Sequence, residues 1–318
     1  MGTSRTKAAL GIDVGGTFAK VAAVAPSGRV LLMTQIPTRG PEGPGPFVKR
    51  LARVLEGWRL ELPALEAVGL GLAGDVDSER GLLRFSPNLR GWEGYDFKRE
   101  LARRLRLPVT VDNDANMAVW GGYQRELKGR ARHVVGLTLG TGVGGGIILE
   151  GRLFRGATGS AGEVGHTRVE FPGEPCRCGS RGCLEAYAGS YGIVRTAQRL
   201  LAASRRKSLL RLEPDLDPAR IARAAEEGDA VALEVWARTA SYLAGGISNL
   251  VLLLNPEFLL LLGGVSRAGK WLLGPLRRRL EDQPFRTPFR RLRIRAADNP
   301  DWGCVGAALL ALEEFPGR

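Results

Sequence analysis

At 318 residues the chain is long enough for two domains with separate cores, and its 44% hydrophobic and 25% charged residues are those of an ordinary soluble globular protein. No apolar run reaches the length of a membrane span; the nearest candidate, residues 250–262, is broken by Asn255-Pro256-Glu257. The net charge of +13 rests on 39 arginines and only seven lysines, and the few aromatics do not interleave with them as a single-strand nucleic-acid platform requires.

Basic residues cluster at 103–106, 277–279 and 286–295, the first two on patterns that read as polar faces of amphipathic helices. Nucleic acid and an anionic small substrate compete as readings of this charge, and solvated helix faces account for the clusters better than a nucleic-acid partner does. Asparagine and glutamine total only ten, a composition also found in thermophiles. The N-terminus carries Arg5 and Lys7 but few apolar residues before Asp13, which is not the pattern of a signal peptide. A reducing cytoplasm is expected.

In chain order, residues 8–14 read as a buried strand, followed by Gly15-Gly16-Thr17 and a second apolar run at 21–24. A third strand is expected at 29–35, a proline- and glycine-rich loop at 40–46, and a helix at 47–58. A strand at 68–72 ends in Ala73-Gly74; a helix follows at 97–105 and a short strand at 109–111. The opening pattern then recurs: an apolar run at 134–139, the turn Gly140-Thr141-Gly142, and another apolar run at 145–149. Two strand–glycine–strand units roughly 125 residues apart point to a duplicated architecture. Helices are expected at 188–203, 218–227 and 231–254, then a strand at 258–262, a helix ending at 279, a strand at 292–296 and a last helix at 303–313. Alternating strands and helices argue for an α/β fold.

The motifs divide into glycine turns, a polar cluster and a metal-ligand set. Glycines after Asp13 let backbone N–H groups approach a phosphate; the Thr17 hydroxyl adds a donor, and Asp13 can hold magnesium directly or through water. Gly140, Gly142 and Gly145 have the spacing of a dinucleotide fingerprint, but a strand follows where that motif requires a helix. A second phosphate-binding hairpin fits better. The run from Gly264 to Lys270 matches a P-loop until Trp271, which stands where a magnesium-holding Ser or Thr is needed; Gly263-Gly264 can instead accept a flat adenine ring close to the backbone.

Asp112-Asn113-Asp114-Ala115-Asn116 closes a strand with two carboxylates and two amides, more than a helix cap uses, and marks a polar site. His133 reads as a surface residue and Cys304 as a buried core thiol. The densest signal is EVGHTRVEFPGEPCRCGSRGCLE at 163–185. It holds His166, Cys176, Cys178 and Cys183 within 18 positions, bracketed by Glu163 and Glu185. One imidazole and three thiolates complete a tetrahedral zinc set with no place for water, so the site reads as structural.

The ordered set of Asp13-x-Gly15-Gly16-Thr17, Asn113-Asp114-Ala115-Asn116, Gly140-Thr141-Gly142, Glu163-x-x-His166 and the cysteine cluster through Glu185 resembles the ROK family (repressors, open reading frames, sugar kinases). The match runs from residue 8 to about residue 195, with the glycine pair near 263 continuing it, and is nearest to the bacterial ATP-dependent glucokinases. Ser86-Pro87-Asn88-Leu89 followed by Trp92 supports that branch; Ala73 in place of a usual proline and Gly122 in place of a usual glutamate depart from it.

The resemblance implies a two-domain actin/hexokinase-like fold, a duplicated ribonuclease H-like architecture with an interdomain cleft. It implies a small domain of residues 1–112 plus 299–318 and a large domain of 113–298 carrying the zinc-bound loop. It implies transfer of the ATP γ-phosphoryl to the 6-hydroxyl of glucose, with Asp114 as base and Asn88, Asn113, Asp114, Glu163, His166 and Glu185 around the sugar. ATP with Mg²⁺ would meet Asp13, Gly15, Gly16, Thr17, Lys20, Gly140, Thr141 and Gly142, with adenosine near Gly263 and Gly264. A structural Zn²⁺ would sit on His166, Cys176, Cys178 and Cys183, and the family's habit is a homodimer or homotetramer. The alternatives are a kinase for fructose, mannose, N-acetylglucosamine or N-acetylmannosamine and, more distantly, a sugar-responsive transcriptional regulator. The twelve residues ahead of Asp13 are too few for a helix-turn-helix.

Overall fold

The computed structural model describes residues 7–58, 61–62, 65–203, 205–297 and 299–316; Arg5, on which part of the leader reading rests, lies outside them. The chain divides into two compact units, the first comprising residues 1–130, 153–162 and 300–318, the second residues 131–152 and 163–299.

The first unit opens with strands β1 (Ala8–Val14), β2 (Phe18–Val24) and β3 (Val30–Pro37). Helix α1 (Pro44–Trp58), β4 (Leu65–Leu72), a hairpin of β5 (Asp75–Asp77) and β6 (Leu82–Phe85), helix α2 (Phe97–Leu105), β7 (Val109–Asn113) and α3 (Asp114–Glu126) follow. The sheet order is β3-β2-β1-β4-β7. Strands β1 to β3 are antiparallel neighbours, whereas β4 and β7 run parallel to β1. Leu10, Ile12, Phe47, Leu51, Trp92 and Phe97 fill the core against this sheet.

The second unit repeats the plan. Its strands β8 (Val134–Leu139), β9 (Val143–Leu149) and the short β10 (Arg152–Leu153) lead to helices α4 (Glu185–Ala188), α5 (Ser190–Ala203), α6 (Pro218–Glu226) and α7 (Ala230–Leu254). Then come β11 (Phe258–Leu262), α8 (Lys270–Glu281), α9 (Thr287–Arg290) and β12 (Arg293–Ala297), in the sheet order β10-β9-β8-β11-β12. Antiparallel β8 and β9 joined by a glycine turn, with β11 and β12 parallel to β8, reproduce the first sheet. The duplication expected from the two glycine turns is present. Arg277, Arg278 and Arg279 lie exposed on α8, as a polar helix face should.

The last helix, α10 (Trp302–Glu314), returns to the first unit and packs on α3 and β1. That contact moves the domain boundary. Residues 113–130, expected in the second domain, belong to the first, because α3 and α10 approach so closely that a Cβ on Gly306 would run into the Met117 carbonyl. Residues 153–162 also pack with the first unit. The helix expected at 188–203 is broken at Gly189, where φ −72° and ψ +156° turn the chain between α4 and α5.

Candidate active site

In the first unit, residues expected at the site gather at one end of the parallel strands. Asp13 pairs in register with Gly71 on β4, and Gly71 with Asp112 on β7. Adjacent strands lie about 4.8 Å apart, so Asp13 and the β7–α3 junction are separated by roughly 10 Å. Between β1 and β2 the turn closes through Gly15 N–H to the Phe18 carbonyl at 3.1 Å, and Thr38 holds it from outside, its hydroxyl donating to the Gly15 carbonyl at 2.7 Å. Gly16 and Thr17 are exposed, and a Cβ on Gly16 would stand 3.5 Å from the Cβ of Asn88, so the asparagine sits beside the turn.

Burial pushes the Asp13 carboxyl up to about 6; Asp301 adds to the shift and Lys20 opposes it. Lys20 donates to Asp301 at 3.0 Å and to the Pro300 carbonyl at 2.6 Å, so the structure commits this lysine to α10's leading turn.

The polar cluster at 112–116 divides its labour. Asn113 is the N-cap of α3: its side-chain oxygen accepts from the Ala115 and Asn116 N–H groups at 2.8 and 3.1 Å, and its amide donates to the Gly74 carbonyl at 2.9 Å. Asp112 and Asn116 are buried and bonded to each other. Asp114 occupies the first helical turn, half-buried, with Oδ1 accepting from Ala115 N–H at 2.9 Å, where the helix's N-terminal partial charge favours an anion. Of the polar cluster, Asp112 and Asn116 are turned to internal bonding, while Asn113 and Asp114, the two expected around the sugar, are half-buried.

In the second unit, the turn at 140–142 closes through Gly140 N–H to the Gly142 carbonyl, while Ser190 donates its N–H and hydroxyl to the Gly140 carbonyl at 2.9 and 2.7 Å. A cavity of about 420 Å³ opens beside it, lined by Gly140, Thr141, Ser190, Ala222, Arg223 and Gly264 among others. Gly263 stands behind that wall at φ +90°, close against the Leu139 backbone, so of the expected adenine-binding pair only Gly264 faces the cavity. Gly142 serves another purpose: a Cβ there would overlap the Glu185 carboxylate.

The ligand atoms of His166, Cys176, Cys178 and Cys183 lie within 4.8 Å of one another, with Cys178 and Cys183 sulfurs 3.8 Å apart and Cys176 Sγ 3.8 Å from His166 Nδ1. Four ligands at the roughly 2.3 Å zinc–sulfur bond length of a tetrahedral site stand about 3.8 Å apart, so the spacing fits zinc. His166 Nε2 points the other way, 3.9 Å from Glu163 Oε2. Glu185 opens α4 directly after this loop: Oε2 accepts from Val143 N–H at 3.1 Å, and Oε1 is 3.5 Å from Cys176 Sγ. His133, the other histidine, is half-buried, with Nε2 3.2 Å from Glu150. Cys304 is fully buried. Among the described residues no helix is long and apolar enough to cross a membrane.

The ROK family profile matches residues 9–314. The chain belongs to the ROK family. Glucokinases of Halalkalibacterium halodurans and Thermotoga maritima are each 35% identical to it, covering 96% and 97% of this chain and 95% and 98% of their own lengths. A ROK family glucokinase from Streptomyces griseus, solved in complex with glucose and AMPPNP, superposes with a TM-score of 0.81 at 35% identity, covering 96% of this chain and 99% of that one.

Two groups of this ROK chain escaped the sequence reading. Tyr191 donates to Glu185 Oε1 at 3.3 Å and lies 3.6 Å from Cys176 Sγ, with the Arg177 guanidinium 4.3 Å above its ring. Burial pushes its phenol far above the ordinary range, so it remains a donor. Its position after Ser190, in the first turn of α5, carries no signal of that contact. The second group, Arg155 with Asp112, lies 43 positions apart in sequence.

Proposed function

We propose that this chain transfers the γ-phosphoryl group of ATP to the 6-hydroxyl of glucose, giving glucose 6-phosphate and ADP. The observation that carries the reading is a half-buried carboxylate, Asp114, at the mouth of a helix in a chain 35% identical over nearly its whole length to a glucokinase that binds glucose and an ATP analogue.

Asp114 is the base. It accepts the hydroxyl proton as the sugar oxygen bonds to the γ-phosphorus and the bond to the ADP oxygen breaks. The transition state is loose, so positioning and charge stabilisation contribute most of the remaining acceleration. Asn88 and Asn113 take sugar hydroxyls, with the Asn113 amide already aimed by its bonds to α3 and Gly74. In the second unit, Glu163, Glu185 and His166 Nε2 do the same, and Tyr191 and Val143 fix the Glu185 carboxylate. The amides of Gly15, Gly16 and Thr17 and of Gly140, Thr141 and Gly142 bind phosphates, and the cavity ending at Gly264 takes the adenosine. Mg²⁺ would be held at Asp13, directly or through water, and neutralises phosphate charge when bound.

Zn²⁺ would be held by His166, Cys176, Cys178 and Cys183, fixing the His166 tautomer and the loop that bears Glu163 and leads into Glu185. Thiolate ligation requires a reducing compartment, so a cytoplasmic site of action is part of the proposal. Exposed Leu212, Leu253 and Phe285 of the second unit offer apolar surface for the homo-oligomer included in it. The test is phosphorus NMR of the purified protein with glucose, ATP and magnesium. A new phosphomonoester on carbon 6 is expected, and unchanged ATP after long incubation would refute the reading.

A further inference from the structure

We infer that Arg155 is a positioning residue for Asp114, acting through the buried carboxylate of Asp112; the inference rests on Asp114 being the base. Asp112 is 1% exposed and is the penultimate residue of β7, two residues before Asp114. Three donors converge on it. Oδ1 accepts from Asn113 N–H at 2.7 Å and from the Asn116 amide at 2.8 Å; Oδ2 accepts from Arg155 Nε at 2.6 Å. The first two bonds bracket Asp114: one holds the N–H of Asn113, the residue before it, the other the Asn116 side chain in the first turn of α3 after it. Arg155 is the one cation paired with this carboxylate among the described residues.

Arg155 is itself held in place. Its Nη2 reaches Glu314 on α10 at 2.7 Å, and the segment that carries it is tied further along, where Arg84 donates to the Thr158 carbonyl at 2.6 Å and Ser160 donates to Asp75 at 2.6 Å. The guanidinium thus spans an α10 carboxylate and the β7–α3 junction with two nitrogens of one planar fork, a geometry that a lysine ammonium does not reproduce. A buried carboxylate that loses its only cation recovers its hydration by turning toward water, and Asn113 N–H and the Asn116 amide turn with it. The expected consequence is a displaced Asp114, not a lost binding contact.

The experiment measures kcat and the KM for ATP in Arg155→Ala, Arg155→Lys, Asp114→Asn and the double variant Arg155→Ala/Asp114→Asn, with folded fraction taken from circular dichroism. A misplaced base is expected to lower kcat per folded molecule by roughly 10- to 100-fold while the KM for ATP stays within about threefold. Arg155→Lys should recover only part of that loss. Because Arg155 acts through Asp114, removing it should cost nothing further once Asp114 is asparagine. Wild-type kcat in folded Arg155→Ala, or losses that multiply in the double variant, would overturn the inference. Should Arg155→Ala fail to fold, Arg155→Lys alone and combined with Asp114→Asn decides by the same two criteria. Turnover surviving in Asp114→Asn alone would instead remove the base assignment and this inference with it.

Discussion

Asp13 on β1 and Asp114 just after β7 stand at the same end of one sheet, with β4 between their strands, in different surroundings that predict different behaviour. Asp114 in the first turn of α3 is expected to be the base, so Asp114→Asn should reduce kcat by about 10²- to 10⁴-fold with the glucose dissociation constant little changed. Calorimetry beside a turnover assay checks both halves, and a near-normal kcat would reject the assignment. Asp13 titrates near 6 because it is buried. If its carboxylate holds magnesium, kcat/KM for MgATP should fall about tenfold per pH unit below that value, and Asp13→Asn should abolish this limb along with most activity. For stability the sign is opposite to that of a salt-bridged aspartate: the folded pKa exceeds the unfolded one, so the contribution is present below about 4 and lost as pH rises through about 6. Asp13→Asn should therefore melt no lower than wild type at pH 8, a comparison that differential scanning calorimetry makes directly.

The glycine turns and the cysteine loop are the elements on which the proposal depends. Replacing Gly142 by alanine places a methyl group against Glu185, so the carboxylate must leave its bond to Val143 N–H. The glucose KM should rise at least tenfold by order of magnitude, with the protein still folded. Cys178→Ser removes an exposed thiol at little packing cost, and it should abolish stoichiometric zinc in metal analysis while raising the glucose KM. A wild-type protein purified without zinc would end the structural-metal argument.

These elements were legible because each advertises itself locally: glycine runs between apolar strands, and four soft ligands within 18 positions. The β5–β6 hairpin was not, since strands of three and four residues leave too short an alternation. Arg155, Tyr191 and the Asp112–Asn116 pairing were equally silent, because their meaning depends on partners that the folded chain alone supplies. Within the polar run at 112–116, burial sets Asp112 and Asn116, bonded to each other, apart from Asn113 and Asp114, the two residues that the resemblance proposes around the sugar.

Across the whole molecule, one plan is used twice. Each unit pairs an antiparallel strand–glycine turn–strand with parallel strands, and its candidate ligand-binding groups are carried on the turn and on neighbouring connections. The boundary expected at 112 fell instead at 130, because what ties α3 to its unit is the small-residue contact with α10, nearly two hundred residues later in the chain. Sugar identity is the quantity least visible at any smaller scale, since glucose differs from its rivals by the placement of one or two groups. The central claim is therefore tested most directly by ADP release under initial-rate conditions with glucose, fructose, mannose, N-acetylglucosamine and N-acetylmannosamine in turn. The account predicts the highest kcat/KM for glucose, by at least tenfold, and loss of that activity in Asp114→Asn; a higher kcat/KM for any other of these sugars, or no ADP release with glucose, would contradict it.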